Sequence, residues 1–89
     1  MKVPNEKTAV FTTTDVARKK LPIVYVSHDI DGDWQFFSSE TVPTKEAMIV
    51  SLGEIIALDP SIKEILQIPP GTEAHRTSPS DDWMIIGKN

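Results

Sequence analysis

Residues 23–37 read IVYVSHDIDGDWQFF, two strand-like apolar runs joined by a short acidic connection that contains a glycine. Ile23 to Ser27 is β-branched and aromatic with no polar alternation, the pattern of a strand covered on both faces and central in its sheet. Trp34 to Ser38 alternates, placing Trp34 and Phe36 on one face and Gln35 and Phe37 on the other. Between them Asp31-Gly32 supplies the positive-φ residue that a tight hairpin requires. The segment therefore predicts a β-hairpin with His28, Asp29, Asp31 and Asp33 gathered at one end.

Upstream, residues 1–7 are polar and are expected to be flexible or to lead into a short strand at Ala9 to Thr12. Thr13, Thr14 and Asp15 can satisfy free backbone N–H groups, so Asp15 to Lys20 predicts a single helical turn stopped by Leu21-Pro22. The basic triplet Arg18-Lys19-Lys20 then sits on a solvated turn. Downstream, Thr44 is a candidate helix N-cap. Met48, Ile49, Leu52, Ile55 and Ile56 fall within an arc of about 120° at helical spacing, predicting a helix over 45–58 with that arc in the core. Gly53 lies on the opposite side, which requires either close packing there or a tolerated loss of helix stability. Asp59-Pro60 ends this helix and starts a second over 60–67, since Pro suits a first helical position and the Asp59 carboxylate can cap it. Ile68-Pro69-Pro70-Gly71 terminates that helix. Thr72 to Thr77 has the mixed polarity of an edge or half-exposed strand, and Trp83 to Ile86 reads as a short final strand. The fold class expected is α+β, a small antiparallel sheet of four to five strands with the helix pair on one face, in a single domain over 1–89.

Composition narrows the function classes. The 89 residues carry a net charge of −4, with basic residues scattered apart from the triplet, so the electrostatic footprint of a nucleic-acid binder is missing. With no cysteine there is no disulfide framework, thiolate nucleophile or cysteine-ligated zinc. No window approaches the length of a membrane span and no apolar run follows the N-terminus, so a cytoplasmic protein is expected. The acidic connection invites a calcium reading with Asp29, Asp31, Asp33 and Glu40 at the first, third, fifth and twelfth loop positions. The required glycine, however, falls fourth instead of sixth, where Trp34 stands, and the flanks are strands. A solvated hairpin turn explains the same residues. His28 and His75 could serve a small metal-dependent hydrolase if their strands are neighbours, although neither belongs to a metal-binding motif. No nucleophile elbow or glycine-rich phosphate cradle occurs, and no cofactor is expected. Trp34 and Trp83 each open a strand and read as core residues over interface anchors. If the loops bearing Asp31, Asp33, Asp81 and Asp82 share one end of the sheet, those four residues form an acidic patch suited to a basic protein.

The order DGDWQFF (31–37), LGEIIALDPSIKEIL (52–66) and IPPGTEAHR (68–76) resembles a family of small bacterial proteins of unknown function grouped with immunity proteins of polymorphic toxin systems. The matching positions are Gly32, Trp34 and Phe36 of a Gly-x-Trp-x-Phe strand, the Asp59-Pro60 junction, and Pro69 and Gly71 followed by Arg76. The resemblance covers about Ile23 to Arg76 and implies a non-enzymatic protein that neutralises a cognate toxin by covering its active surface. The different-class readings are the hydrolase above and a structural domain that forms a homodimer through its last strand.

Overall fold

The computed structural model describes residues 4–18, 20–38 and 47–87. Its order is β1 (Ala9–Thr13), α1 (Thr14–Ala17), β2 (Tyr25–His28), β3 (Trp34–Phe37), β4 (Ala47–Ser51), α2 (Leu52–Leu58), a 3-10 helix (Pro60–Ile65), β5 (Thr72–His75) and β6 (Met84–Gly87). The strands form one six-stranded sheet in the order β4-β1-β3-β2-β5-β6. The architecture is α+β, but the sheet is larger than expected and mixed. β1 runs parallel to β3 with Phe11 opposite Gln35, and the other pairings are antiparallel. The parallel contact arises because the β2–β3 hairpin presents β3, not β2, to β1.

The hairpin forms as the sequence dictates. Tyr25 pairs with Phe37 and His28 with Trp34. The chain reverses where Gly32, at φ +97°, donates its N–H to Asp29 O at 2.8 Å. That left-handed backbone is why a glycine stands there.

The helix expected over 45–58 is corrected by the structure, which pairs Ala47–Ser51 with β1 as a strand and starts the helix only at Leu52. Met48-Ile49-Val50 satisfies a strand's alternation as well as a helix's period, and the five-residue pairing with β1 decides between them. The helix start is set by Ser51, whose hydroxyl accepts the Glu54 N–H at 3.2 Å. Thr44 lies outside the described residues. Asp59 serves both ends of the corner: its N–H closes α2 on Ile55 O at 2.9 Å, and its carboxylate accepts from Ser61 N at 3.0 Å to cap the next turn. That turn winds as a 3-10 helix.

The core joins Val10, Val26, Trp34, Phe36 and Ala74 of the strands to Val16, Leu52, Ile55, Ile62, Ile65 and Leu66 of the helical segments. Each large apolar side chain so buried contributes roughly 1.5–3 kcal/mol over leaving it exposed. β5, expected to be an edge or half-exposed strand, is interior, lying between β2 and β6 with Thr72, Glu73 and Ala74 buried. Its mixed polarity is accommodated because Glu73 finds polar partners across the sheet. The start of the described chain is tied down as well: Leu52 N–H bonds to Thr8 O and Gly53 N–H to Glu6 O, both at 2.8 Å. Residues 1–3 lie outside the described chain.

Candidate protein-interaction surface

Strand alternation sorts the sheet residues into two sets. Val10, Val26, Trp34, Phe36 and Ala74 enter the core cluster, whereas their neighbours Phe11, Tyr25, Ser27, Gln35, Phe37, Glu73 and His75 do not. Strand register aligns this second set in two rows across the sheet. One row runs Ile49, Phe11, Gln35, Ser27, Glu73, Ile86, and the other sets Phe37, Tyr25, His75 and Met84 side by side.

The centre of this face is polar and its flanks are apolar. Tyr25 donates its hydroxyl to Glu73 Oε2 at 2.6 Å, and His75 Nε2 meets Glu73 Oε1 at 2.8 Å. Beside them Asp29 accepts from Ser27 Oγ at 3.1 Å and from Gln35 Nε2 at 2.6 Å. The Tyr25 ring lies 4.8 Å from that of His75 and 5.9 Å from that of Phe37. Burial, followed by the hydrogen bond and charge of Glu73, pushes the Tyr25 hydroxyl up to about 12 against a smaller lowering contact from Ser27. At neutral pH it is a hydrogen-bond donor. The flanks carry Ile49 at 66% exposure on β4, and Met84 at 65% and Ile86 at 41% on β6. Large apolar side chains left in water around a hydrogen-bonded centre are suited to docking another protein.

Asp31, Asp33, Asp81 and Asp82 are all exposed, but they do not form one patch. β5 pairs His75 with Tyr25 and Thr72 with His28, so the loop after His75 and the hairpin tip after His28 lie at opposite ends of the sheet. Asp31 and Asp33 stand at one end, Asp81 and Asp82 at the other. Asp29 at the first calcium-loop position is engaged by Ser27 and Gln35, and Glu40 lies outside the described residues.

The two histidines sit on neighbouring strands yet on opposite faces. His28 stacks on Trp34 with ring centroids 3.9 Å apart, and its Nδ1 meets Ile68 O at 2.8 Å. His75 belongs to the Glu73 network, three residues along the pairing, roughly 10 Å away by strand rise alone. The geometry therefore gives them no shared ion, and among the described residues no group of three or more His, Cys, Asp or Glu could hold a metal. No helix among the described residues is long and apolar enough to cross a membrane.

Trp34 is buried in the core as read from the sequence, and Trp83 is half-buried against it. Arg76, matched in the sequence only through the family pattern, proves to be a buried hub. Its Nε donates to Ile23 O at 2.9 Å and its NH1 to Ser61 Oγ at 3.1 Å, while NH2 pairs with Asp59. The Tyr25–Glu73–His75 network escaped sequence reasoning because its members are 48 and 2 positions apart and meet only through the β2–β5 register. No family model, curated protein or solved structure matches this chain.

Proposed function

We propose that this chain is a non-enzymatic protein-binding domain whose helical segments cover one face of the sheet and whose opposite face receives the partner. The observation that carries this reading is the exposure of Ile49, Met84 and Ile86 on the face that contributes nothing to the core cluster. The aspartates become a rim: Asp31 and Asp33 border the face at one end, Asp81 and Asp82 at the other. Exposed apolar flanks about a polar centre, bordered by aspartates at both ends, suit a basic protein, and the net charge of −4 disfavours nucleic acid. Through its sequence resemblance the reading extends to a cytoplasmic, toxin-neutralising protein of immunity type.

Co-expression with the product of the adjacent gene tests it. Co-purification of the two proteins, with cross-links mapping to the face and association lost in Ile49→Glu, is the expected result. Binding that is indifferent to Ile49→Glu and to charge reversal at Asp31 and Asp82 would sink the assignment of this surface.

A further inference from the structure

β6 pairs with β5 on one side and ends the sheet order on the other. Sheet edges are commonly guarded by proline, charge, a bulge or a covering segment. Met84-Ile85-Ile86-Gly87 contains neither proline nor charge, and all four residues are exposed. Ile85, at 48% exposure, pairs with Ala74 and points to the core side of the sheet, while Met84 and Ile86 point to the face opposite the core. The other edge, β4, is less available: Met48 and Val50 on its core side are half-buried, and Val50 packs against the core.

We propose that the β6 edge pairs with β6 of a second copy of this chain, antiparallel, about a two-fold axis normal to the sheet at Ile85. An axis in that direction keeps each face of the sheet on its own side, so only residues of the same parity can oppose one another. The register centred on Ile85 sets Ile85 against its own counterpart and Met84 against Ile86 twice. A step in one direction opposes Ile85 to Gly87, and a step in the other opposes Ile86 to Asp82; both lose apolar cross-strand pairs. The arrangement also keeps like charges apart. β6 follows Asp81-Asp82, and antiparallel copies place these two acidic flanks at opposite ends of the joined strands.

The pairing satisfies edge backbone groups of both copies that have no strand partner among the described residues, and joins the Met84 and Ile86 side chains of two copies into one apolar strip. Because the axis is normal to the sheet, the two partner-receiving faces end on the same side. A four-residue edge buries less than the roughly 1,200 Å² of a standard interface, so the association is weak and concentration-dependent. This inference rests on the edge of β6 and stands apart from the partner-binding reading.

Because the chain has no cysteine, a single introduced thiol can form only an intermolecular disulfide. Opposed residues of an antiparallel pair have Cα atoms about 4.5–5.5 Å apart, within disulfide reach. Two copies of position 84, or of position 86, are roughly 8 Å apart in this register and outside it. Under mild oxidation Ile85→Cys is expected to form covalent dimer at least about tenfold faster than Asp31→Cys. Met84→Cys and Ile86→Cys should each cross-link slowly alone and rapidly when mixed. Light scattering of the unmodified protein should show mass rising with concentration, and Ile85→Lys should abolish that rise while leaving the circular dichroism spectrum unchanged. Ile85→Cys reacting no faster than Asp31→Cys, or a constant monomer mass up to millimolar protein, would overturn the pairing. Ile86→Cys alone matching the Ile85→Cys rate would overturn the register. Neither result depends on Ile49, so failure here and failure of the partner-binding reading are read separately.

Discussion

The guanidinium carbon of Arg76 stands 4.0 Å from the centroid of the Trp83 ring while the same group pairs with Asp59. One side chain thus clamps the corner between α2 and the 3-10 helix to the loop that leads into β6. Its side chain is 1% exposed and also donates to Ile23 O, so truncation removes the donor to that carbonyl and the cation beside the Asp59 carboxylate, which keeps its Ser61 donors. Arg76→Ala is expected to cost about 3 kcal/mol in urea unfolding, the lower end of the range for removing one member of a buried pair, because the Asp59 side chain is 21% exposed. Arg76→Lys, which keeps the charge but loses the planar fork, should recover part of that loss.

The same pair makes stability depend on acid. Burial alone would raise the Asp59 carboxyl, but hydrogen bonds from Ser61 and Arg76, together with the Arg76 charge, outweigh it and hold the group below its ordinary value of 3.8. A carboxyl lowered by folding contributes stability that is present above the unfolded value and lost as pH falls through the folded one. Urea midpoints measured between pH 7 and pH 2 should therefore decline below about pH 4 more steeply in the native protein than in Asp59→Asn. Parallel curves for the two proteins would refute the assignment.

Tyr25 behaves in the opposite sense at high pH. It is the only tyrosine, so phenolate absorbance reports on it alone. Its value is raised from 10.0 to about 12 by burial and then by Glu73, so its contribution to stability is complete below pH 10 and lost as pH rises through the folded value. Glu73→Gln is expected to move the absorbance transition back toward 10.0. An unmoved transition would leave burial as its whole cause.

The legible parts of this fold are those that local chemistry settles. Gly32 marks the hairpin turn, and Asp59-Pro60 marks the corner where one helix stops and the next begins, because each residue has few conformational alternatives. The boundary at Ser51 was also written in the chain, as Ser51-x-x-Glu54 at a capping position, but the apolar arc beginning at Met48 masks it. What local reading misses depends on pairing between distant segments: the parallel β1–β3 contact, the interior position of β5, and the meeting of Tyr25, Glu73 and His75. The separation of the two aspartate pairs follows from the same register. None of these relationships leaves a mark within a window of ten residues.

Lys20 has φ +58°, a left-handed conformation that a residue with a Cβ adopts at a cost of about 1–2 kcal/mol. It lies where Leu21 N–H returns to Asp15 O at 3.0 Å, closing the chain after α1. Glycine relieves the strain but adds freedom to the unfolded chain, so Lys20→Gly is expected to stabilise by about 0.5–1 kcal/mol. Lys20→Ala, which keeps the Cβ, should give no gain. Calorimetric melting of the three proteins checks the order, and equal melting temperatures for the glycine and alanine variants would contradict it.

Gly53 tests how closely the N-terminal segment is seated on α2. In an exposed helix, glycine to alanine gains about 1 kcal/mol from helix propensity. Here an added Cβ would meet Glu6 O at 3.3 Å and Glu6 Cβ at 3.5 Å, while the Gly53 N–H holds that same carbonyl at 2.8 Å. The methyl group must push the segment outward by a few tenths of an ångström and weaken the bond it leans on. Gly53→Ala is therefore expected to change stability by less than about 0.5 kcal/mol, the propensity gain being offset by the contact. Gly53→Val adds bulk and a β-branched penalty, and should lose about 1–2 kcal/mol. In a chain lacking residues 1–6 the contact is absent, and Gly53→Ala should recover its full helical gain. If alanine stabilises both chains equally, the Glu6 carbonyl is not what requires a glycine at this position.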